Sequence, residues 1–264
     1  SIIRQAEKMT NPMQLNRTTI HVDLTQRSRL RRIWRYIGYD EPNYTYTPSG
    51  QALLAKLAAM SDGPYHVRCH FILCSGDGRP ALKWGSTNVY SEDENGEPIY
   101  AWTIIDKILD SYVALGLIPF VELGFTPVAL TTAPEGTPYA DPRHGGWRCP
   151  PRDYGRWLEL VRNLAGHCRE RYGLAEVGRW YWELWNEPDI FYWTGTVEEY
   201  CRLYDYTVAG LHAALPQARV GGPATTSSAS GAESSEFLRA FLRRVTRGTT
   251  QLPGDVGTRR DCGS

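Results

Sequence analysis

The chain has 264 residues, which is enough for one large domain or two small ones and is close to the ~250 residues of a typical (β/α)8 barrel. Its 29 basic and 29 acidic residues cancel, which argues against nucleic acid as the main partner because phosphate binding needs a basic face. No apolar run approaches the ~20 residues of a membrane span, and residues 1–13 lack the apolar core of a signal peptide. The sequence therefore predicts a cytoplasmic protein that has no membrane partner.

The aromatic and cysteine contents are the two unusual features of the composition. Nine Trp and sixteen Tyr stand against six Phe, a balance that suits sugar binding and ordinary cores alike. The six cysteines form no CxxC pair and no zinc-finger spacing, so no metal site is predicted. An even number is compatible with disulfides, but a domain of this size does not need them, and we expect free thiols.

Short apolar runs alternate with helical patterns along the chain, which predicts βαβ units and a parallel sheet. The predicted strands cover residues 32–37, 65–73, 117–123, 179–185 and 218–222. The predicted helices are one that opens at Pro48 and ends before residues 62–64, followed by helices at about 102–115, 152–172, 197–214 and 233–245. Residues 75–98 and about 124–151 are predicted to be long loops.

Five strand–helix units in this order predict an α/β fold of the (β/α)8 TIM-barrel type, with only about the first five units present. Both long loops follow strands, and the C-terminal ends of the strands carry function in such a barrel. A doubly wound sheet fits the same alternation, but no GxGxxG or P-loop motif follows a strand, which argues against nucleotide binding. We assign residues 1–19 to an N-terminal extension and residues 20–264 to an incomplete barrel domain.

The most informative segment is residues 180–189 (WYWELWNEPD), an apolar strand that leads into Asn186 and Glu187. Alternation along the strand predicts two sets of side chains on opposite sides: Glu183, Trp185 and Glu187 on one, and Trp182, Leu184 and Asn186 on the other. Pro188 disfavours helix at Glu187, which puts this carboxyl at the end of the strand, partly desolvated among tryptophans. The resulting rise in pKa suits a general acid, and a structural hydrogen-bond network explains the residue equally well.

Several ordered blocks carry a resemblance to a known family. Asn186-Glu187-Pro188 after an apolar strand resembles the fourth strand of clan A retaining glycoside hydrolases. The wider run 180–196 resembles glycoside hydrolase family 39, which contains β-xylosidases and α-L-iduronidases. Other blocks agree: residues 38–44 (GYDEPNY), 83–88 (KWGSTN), 119–127 (PFVELGFTP) and 220–224 (VGGPA). The similarity covers roughly residues 20–258.

The resemblance implies a retaining glycosidase, β-xylosidase-like, that acts on the terminal O-glycosidic bond of a carbohydrate substrate without a metal or organic cofactor. It implies that Glu187 is the general acid/base and that Asn186 binds the 2-hydroxyl of the sugar. It also implies that His70, at the end of the second strand, contacts the sugar in the −1 subsite. Phe125, after the third strand, shapes the same pocket or belongs to the core.

The second half of the mechanism has no match in this sequence. Retaining hydrolysis needs two carboxyl groups ~5–5.5 Å apart, and in the resembled family the nucleophile is a Glu on the seventh strand. Near the expected sixth strand, Arg259, Arg260 and Cys262 replace apolar residues. We expect Glu183 to be structural and Glu122 to be a buried partner of Arg or His. The sequence therefore predicts an acid/base without its nucleophile; an inactive truncated chain or a carbohydrate-binding remnant is the alternative.

Overall fold

The computed structural model describes residues 19–28, 33–60, 63–227 and 233–248. Residues from Arg35 onward form one compact unit, which contains the sheet and the helices. Nearly all of the predicted extension at residues 1–19, and the whole of residues 249–264, lie outside the described residues. The predicted domain boundary therefore stays a prediction.

A five-stranded parallel sheet forms the centre of this unit. The strands of the described residues are β1 (Tyr36–Tyr39), β2 (His66–Cys69), β3 (Tyr90–Glu92), β4 (Pro98–Tyr100), β5 (Ile118–Leu123), β6 (Tyr181–Leu184) and β7 (Arg219–Gly221). The sheet has the order β1-β2-β5-β6-β7 with every pair parallel, while β3 and β4 form a separate antiparallel hairpin. Each strand of the sheet pairs with the next one along the chain, which is the strand order of a TIM-barrel-type fold.

A helix follows each strand of the sheet. The helices are α1 (Pro48–Ala59), α2 (Thr103–Ala114), α3 (Tyr154–Tyr172), α4 (Leu174–Val177), α5 (Val197–Ala214) and α6 (Glu233–Arg247). The hairpin precedes α2, and α4 is a short turn of helix between α3 and β6. The five predicted strand–helix units are therefore confirmed.

Side-chain caps set the starts of three helices. The hydroxyl of Thr47 accepts the Gly50 N–H at 3.1 Å before α1, and Asp153 accepts the Arg156 N–H before α3. Thr196 and Glu199 form a reciprocal capping box at the start of α5. Such caps satisfy backbone donors that the helix itself leaves unpaired, which makes these boundaries readable from sequence.

The core lies between the sheet and the helices. Along β2 and β6 every second residue is buried in it, namely Val67, Cys69, Trp182 and Leu184. The residues between them lie on the other side of the sheet and are only partly covered. Cys69, Cys74, Cys149, Cys168 and Cys201 are free thiols, as predicted, and Cys262 lies outside the described residues. Within the described ranges, no helix has the length and apolar character that crossing a bilayer requires.

Several predicted boundaries are wrong. The first strand begins at Tyr36 rather than at residue 32, which lies outside the described residues. The second strand ends at Cys69, since Phe71 has a positive φ of 59° and leaves the extended path. The predicted loop 75–98 contains β3 and the start of β4, which are joined by a turn in which the Asp93 carboxylate accepts backbone N–H groups of Asn95 and Glu97. This Asx-type turn was overlooked in the sequence.

Candidate active site

Arg68 on β2 joins four polar side chains from three neighbouring strands and their C-terminal ends, on the side of the sheet opposite the core. Its Nε donates to Glu183 Oε2 at 2.5 Å, and its Nη2 lies 3.0 Å from Glu122 Oε2. Nη2 also donates to Asn186 Oδ1 at 3.1 Å, and Nη1 lies 2.5 Å from His70 Nε2. Sequence reasoning missed Arg68. The available signal was a cation inside a predicted apolar strand, two residues before His70.

Two glutamates of this network are held in a desolvated place. Glu122 is fully buried, and burial raises its pKa to about 8 although the charge of Arg68 opposes the shift. Burial also raises the pKa of Glu183, again against Arg68. Neither oxygen of Glu122 receives a well-aligned hydrogen bond from the described residues. The prediction that Glu122 is a buried partner of Arg or His is confirmed, because Arg68 and His70 both face it.

The tautomer of His70 follows from its neighbours. A guanidinium has only donors, so His70 Nε2 must accept from Arg68 Nη1, and the ring proton lies on Nδ1. Nδ1 is 3.5 Å from Asp40 Oδ1. Burial and the charge of Arg68 lower the pKa of His70 to about 4. His70 is therefore a neutral imidazole whose Nδ1–H is turned toward Asp40.

Glu187 lies three residues beyond the end of β6. Its backbone N–H donates to the Ala224 carbonyl at 2.9 Å, which fixes it beside the segment that follows β7. The side chain is half-buried, and its carboxylate has no hydrogen bond or ion pair with any residue that the structure describes. Burial raises the pKa of Glu187, the charge of Asp189 raises it further, and Arg68 opposes the rise. The result is an unpaired carboxyl group at the C-terminal edge of the sheet.

The predicted alternation of side chains does not continue to Glu187. Glu183 and Asn186 were expected on opposite sides, yet both contact Arg68. Trp185 has a φ of 66° and Glu187 a φ of 47°, so the chain leaves the extended conformation directly after Leu184. Positive φ is uncommon for residues other than glycine, and it reverses the direction in which the following side chains point.

Asn186 presents a defined donor. Its Oδ1 accepts from Arg68, and since Arg68 can only donate, this contact fixes which end of the amide is oxygen. Nδ2 has no acceptor among the described residues, and it is the atom that can donate to a ligand hydroxyl. Asn186 is nearly buried, so it offers this one amide edge and little else.

Phe125 lies in an aromatic cluster rather than on a surface. Its ring is 4.7 Å from that of Trp147, 4.9 Å from Trp185 and 5.2 Å from Phe71, and the residue is fully buried. Of the two roles that the sequence left open, the structure describes the packing role. Its predicted contact with a sugar stays a prediction.

Two of the sequence blocks that carry the family resemblance contact each other beside His70. The fully buried Asn43 accepts the Ser86 N–H at 2.9 Å and donates to the Ser86 carbonyl at 2.9 Å and the Gly78 carbonyl at 3.2 Å. A Cβ on Gly85 would lie 2.1 Å from Cγ of Pro42, so only glycine permits this approach. Residues 76–88 are thereby fixed against residues 40–44.

The same contact brings a charged pair to the edge of the site. Lys83 Nζ donates to Asp40 Oδ2 at 2.5 Å, and the Lys83 N–H donates to Glu41 Oε1 at 3.0 Å. Asp40 directly follows β1, and the His70 N–H donates to the Tyr39 carbonyl at 3.3 Å, so Asp40 and His70 lie side by side at their strand ends.

Parallel strands in chain order, with polar side chains gathered at their C-terminal ends, define a TIM-barrel-type fold of the kind that enzymes use. A profile described as "Glycosyl hydrolases family 39" matches residues 18–247. The chain belongs to this family, which confirms both the resemblance seen in the sequence and the predicted fold class.

Named relatives fall into two groups. The chain is 35% identical to a β-xylosidase of Geobacillus stearothermophilus over 195 residues, which is 71% of this chain and 34% of that protein. It is 29% identical to the α-L-iduronidase of Homo sapiens over 254 residues, which is 92% of this chain and 35% of that protein. The chain thus spans about a third of the length of these curated relatives.

Solved structures of both kinds of protein also match. A family 39 β-xylosidase from Caulobacter crescentus matches with a TM-score of 0.62 and 30% identity, over 80% of this chain and 43% of that one. A structure described as the bacterial orthologue of human α-L-iduronidase matches with a TM-score of 0.62 and 27% identity, over 86% of this chain and 32% of that one.

Proposed function

We propose that this chain supplies the acid/base part of a retaining glycoside hydrolase, β-xylosidase-like, that cleaves terminal O-glycosidic bonds, with Glu187 as the general acid/base. One observation carries the proposal. Glu187 is a half-buried carboxyl group with a raised pKa and no partner among the described residues, and it lies at the C-terminal edge of the sheet. Membership of family 39 and the similarity to β-xylosidases support the substrate class.

The surroundings of Glu187 suit both halves of its role. As a general acid it donates its proton to the glycosidic oxygen, and as a base it later accepts a proton from the attacking water. Burial and the charge of Asp189 raise its pKa, so a larger fraction is protonated near neutral pH. Asp189 itself accepts hydrogen bonds from the Thr226 N–H at 3.0 Å and the Thr226 hydroxyl at 2.5 Å, which keep its charge close to Glu187.

Asn186 and His70 provide neutral donors for the sugar. Nδ2 of Asn186 is free to donate to the 2-hydroxyl, because Arg68 occupies Oδ1. The Nδ1–H of His70 can donate as well, because Arg68 engages Nε2 and the nearest acidic oxygen to Nδ1 among the described residues is Asp40 Oδ1, at 3.5 Å. Arg68 is therefore the positioning residue that orients Asn186 and His70, the two side chains proposed to bind the sugar.

The nucleophile of the proposed mechanism comes from outside the described residues. Glu122 and Glu183 share a side of the sheet with the site, but Arg68 contacts both of them. Glu122 is also fully buried, and its raised pKa favours the neutral form, which is a poor nucleophile.

A leaving-group series tests the role of Glu187. In an active protein that contains this chain together with the nucleophile, we expect Glu187→Gln to lower kcat on methyl or phenyl β-xyloside, which have poor leaving groups, by about 10²- to 10⁴-fold. The loss on 2,4-dinitrophenyl β-xyloside should be far smaller in the first step, because this leaving group needs no protonation. The alkaline limb of the kcat/KM profile of the wild type should vanish in the variant.

Glu236→Gln is the matched control, since Glu236 lies exposed on α6 and pairs only loosely with Arg239 at 3.9 Å. It should leave every rate unchanged. Equal turnover of both substrates by the wild type and Glu187→Gln would remove the acid/base role.

The engagement of Glu122 and Glu183 by Arg68 also favours a second candidate, a carbohydrate-binding form without hydrolysis. Titration calorimetry with methyl β-D-xylopyranoside, alongside a hydrolysis assay on the same protein with the nucleophile present, separates the two. Binding without hydrolysis identifies the binding form, and a folded sample that binds no xyloside excludes it.

A further inference from the structure

Asp40 is an acidic side chain at the site that the proposed mechanism does not use. Its side chain is 24% exposed, beside a His70 side chain that is 13% exposed. Oδ2 accepts from Lys83, whereas Oδ1 lies 3.5 Å from His70 Nδ1, which is too long for a good hydrogen bond. One oxygen of Asp40 is therefore fixed, and the other lies near an N–H donor without forming a good hydrogen bond with it.

His70 Nδ1 and Asp40 Oδ1 together have the chemistry of a site for a hydroxyl group that lies beside both atoms. The Nδ1–H of His70 donates, and Oδ1 of Asp40 only accepts. A hydroxyl group satisfies both, because its oxygen accepts one hydrogen bond while its proton donates another. A ligand carboxylate or a second cation satisfies only one of the two partners.

We infer that Asp40 and the Nδ1–H of His70 together bind one ring hydroxyl of the sugar, other than the 2-hydroxyl proposed for Asn186. The inference rests on the proposed function, because it requires a sugar at this edge of the sheet. Asp40 then determines specificity, since it selects substrates that carry a hydroxyl at this position.

Lys83 fixes the carboxylate that makes this contact. Its side chain is mostly exposed and ends on Asp40 Oδ2, while its backbone N–H donates to Glu41. The charges of Asp40 and Lys83 also act on the pKa of Glu187, in opposite directions, which agrees with a position beside the acid/base.

Deoxy sugars separate a direct contact from a structural role. The binding of methyl β-D-xylopyranoside and of its 3-deoxy and 4-deoxy analogues is measured by calorimetry or NMR titration for the wild type, Asp40→Ala and Asp40→Asn. Asp40→Ala should weaken the parent xyloside by about tenfold, because a hydrogen bond to a charged group is lost. For one deoxy analogue, the wild type and Asp40→Ala should bind equally. Asp40→Asn keeps an acceptor oxygen and should lose less.

Asp77→Ala is the matched control, because Asp77 lies in the same loop as Lys83 and, among the described residues, accepts only the nearby Arg79 N–H. It should leave all three affinities unchanged. An Asp40→Ala variant that weakens all three sugars equally, or none of them, overturns the inference and leaves the proposed function standing. A wild type that binds none of the three contradicts the proposed function and the inference with it. If Asp40→Ala does not fold, Asp40→Asn on the same sugars decides.

Discussion

The two sides of the five-stranded sheet differ in character although the same strands build both. On the helix-packed side, Val67 and Leu184 are buried among apolar neighbours. On the other side, their chain neighbours Arg68 and Glu183 are half-buried and joined by an ion pair of 2.5 Å. Burial of apolar area stabilises the first side, whereas the second depends on one cation that faces two desolvated carboxyl groups. The comparison shows that apolar packing and the charged contacts of the site are assigned to alternate residues of one strand.

Removal of the Arg68 cation should have the largest effect on the free energy of unfolding. Arg68→Met keeps much of the side-chain volume but leaves Glu122 and Glu183 without a counter-charge. Breaking a buried pair by removing one partner costs about 3–5 kcal/mol, so we expect a loss of about 4 kcal/mol in the free energy of unfolding. Urea denaturation at neutral pH measures it.

Arg171→Met is the control for this prediction. Arg171 makes a bidentate ion pair with Asp110 at 2.9 and 2.6 Å, but both side chains are more than a third exposed. An exposed pair contributes about 0–1 kcal/mol, so the loss should stay within that range. Equal losses for the two variants would mean that burial adds nothing to the importance of Arg68.

A cavity on the helix-packed side should have the next largest effect. Leu184→Ala removes a fully buried side chain from β6, and such changes cost about 2–5 kcal/mol, so we expect about 3 kcal/mol. Tyr181→Phe on the same strand is the control. It keeps the ring that lies 4.0 Å below the Arg219 guanidinium and should change the stability by less than about 0.5 kcal/mol. A similar loss for both variants would contradict the difference between the two sides.

A further expected effect is a pH dependence of stability that originates at Glu122. The pKa of Glu122 is about 8 in the folded chain and near 4.5 when unfolded, so the folded state binds the proton more tightly. The contribution of Glu122 to stability is therefore present at low pH and is lost as pH rises from about 4.5 to 8. The difference in unfolding free energy between the wild type and Glu122→Gln should fall across this window.

The histidine next to Glu122 acts in the opposite sense. The pKa of His70 is lowered to about 4 in the folded chain, so stability falls as pH decreases from about 6.5 toward 4. His70 is half protonated in the unfolded chain at pH 6.5 and is nearly neutral in both states from about pH 7.5 upward, so Glu122 can be tested between about pH 7.5 and 8 with little contribution from His70. A difference that stays constant over that range would show that Glu122 is ionised throughout.

The helix-packed side was largely predictable from sequence, because its buried apolar residues recur with the period of the helix or strand that carries them. Apolar spacing predicted α5 at residues 197–214, where the structure has it, and the run at 117–123 predicted β5. The position of Glu187 was predicted by motif rather than by period. The alternation that was expected to place it ends at Leu184, where positive φ values begin.

The other side could not be predicted from local pattern. Arg68, Asp40 and Lys83 are ordinary charged residues in sequence, and their partners lie between 2 and 118 positions away along the chain. No periodicity marks such contacts, since they depend on which strand ends lie side by side. The tautomer of His70 likewise could be assigned only from the position of the Arg68 guanidinium, and the residues next to it in sequence do not determine it.

The amide of Asn43 has a consequence for engineering and for comparison among relatives. The Asn43 amide binds Ser86 through both its oxygen and its nitrogen, and Gly85 packs against Pro42. Residues 40–44 and 76–88 therefore form one structural unit. Grafting either segment alone into a homologue should leave a buried amide unpaired, whereas grafting both together keeps the hydrogen bonds between Asn43 and Ser86. In an alignment, the two segments should be gained and lost as a pair, and a relative that lacks Asn43 should also be free to carry a side chain at the position of Gly85.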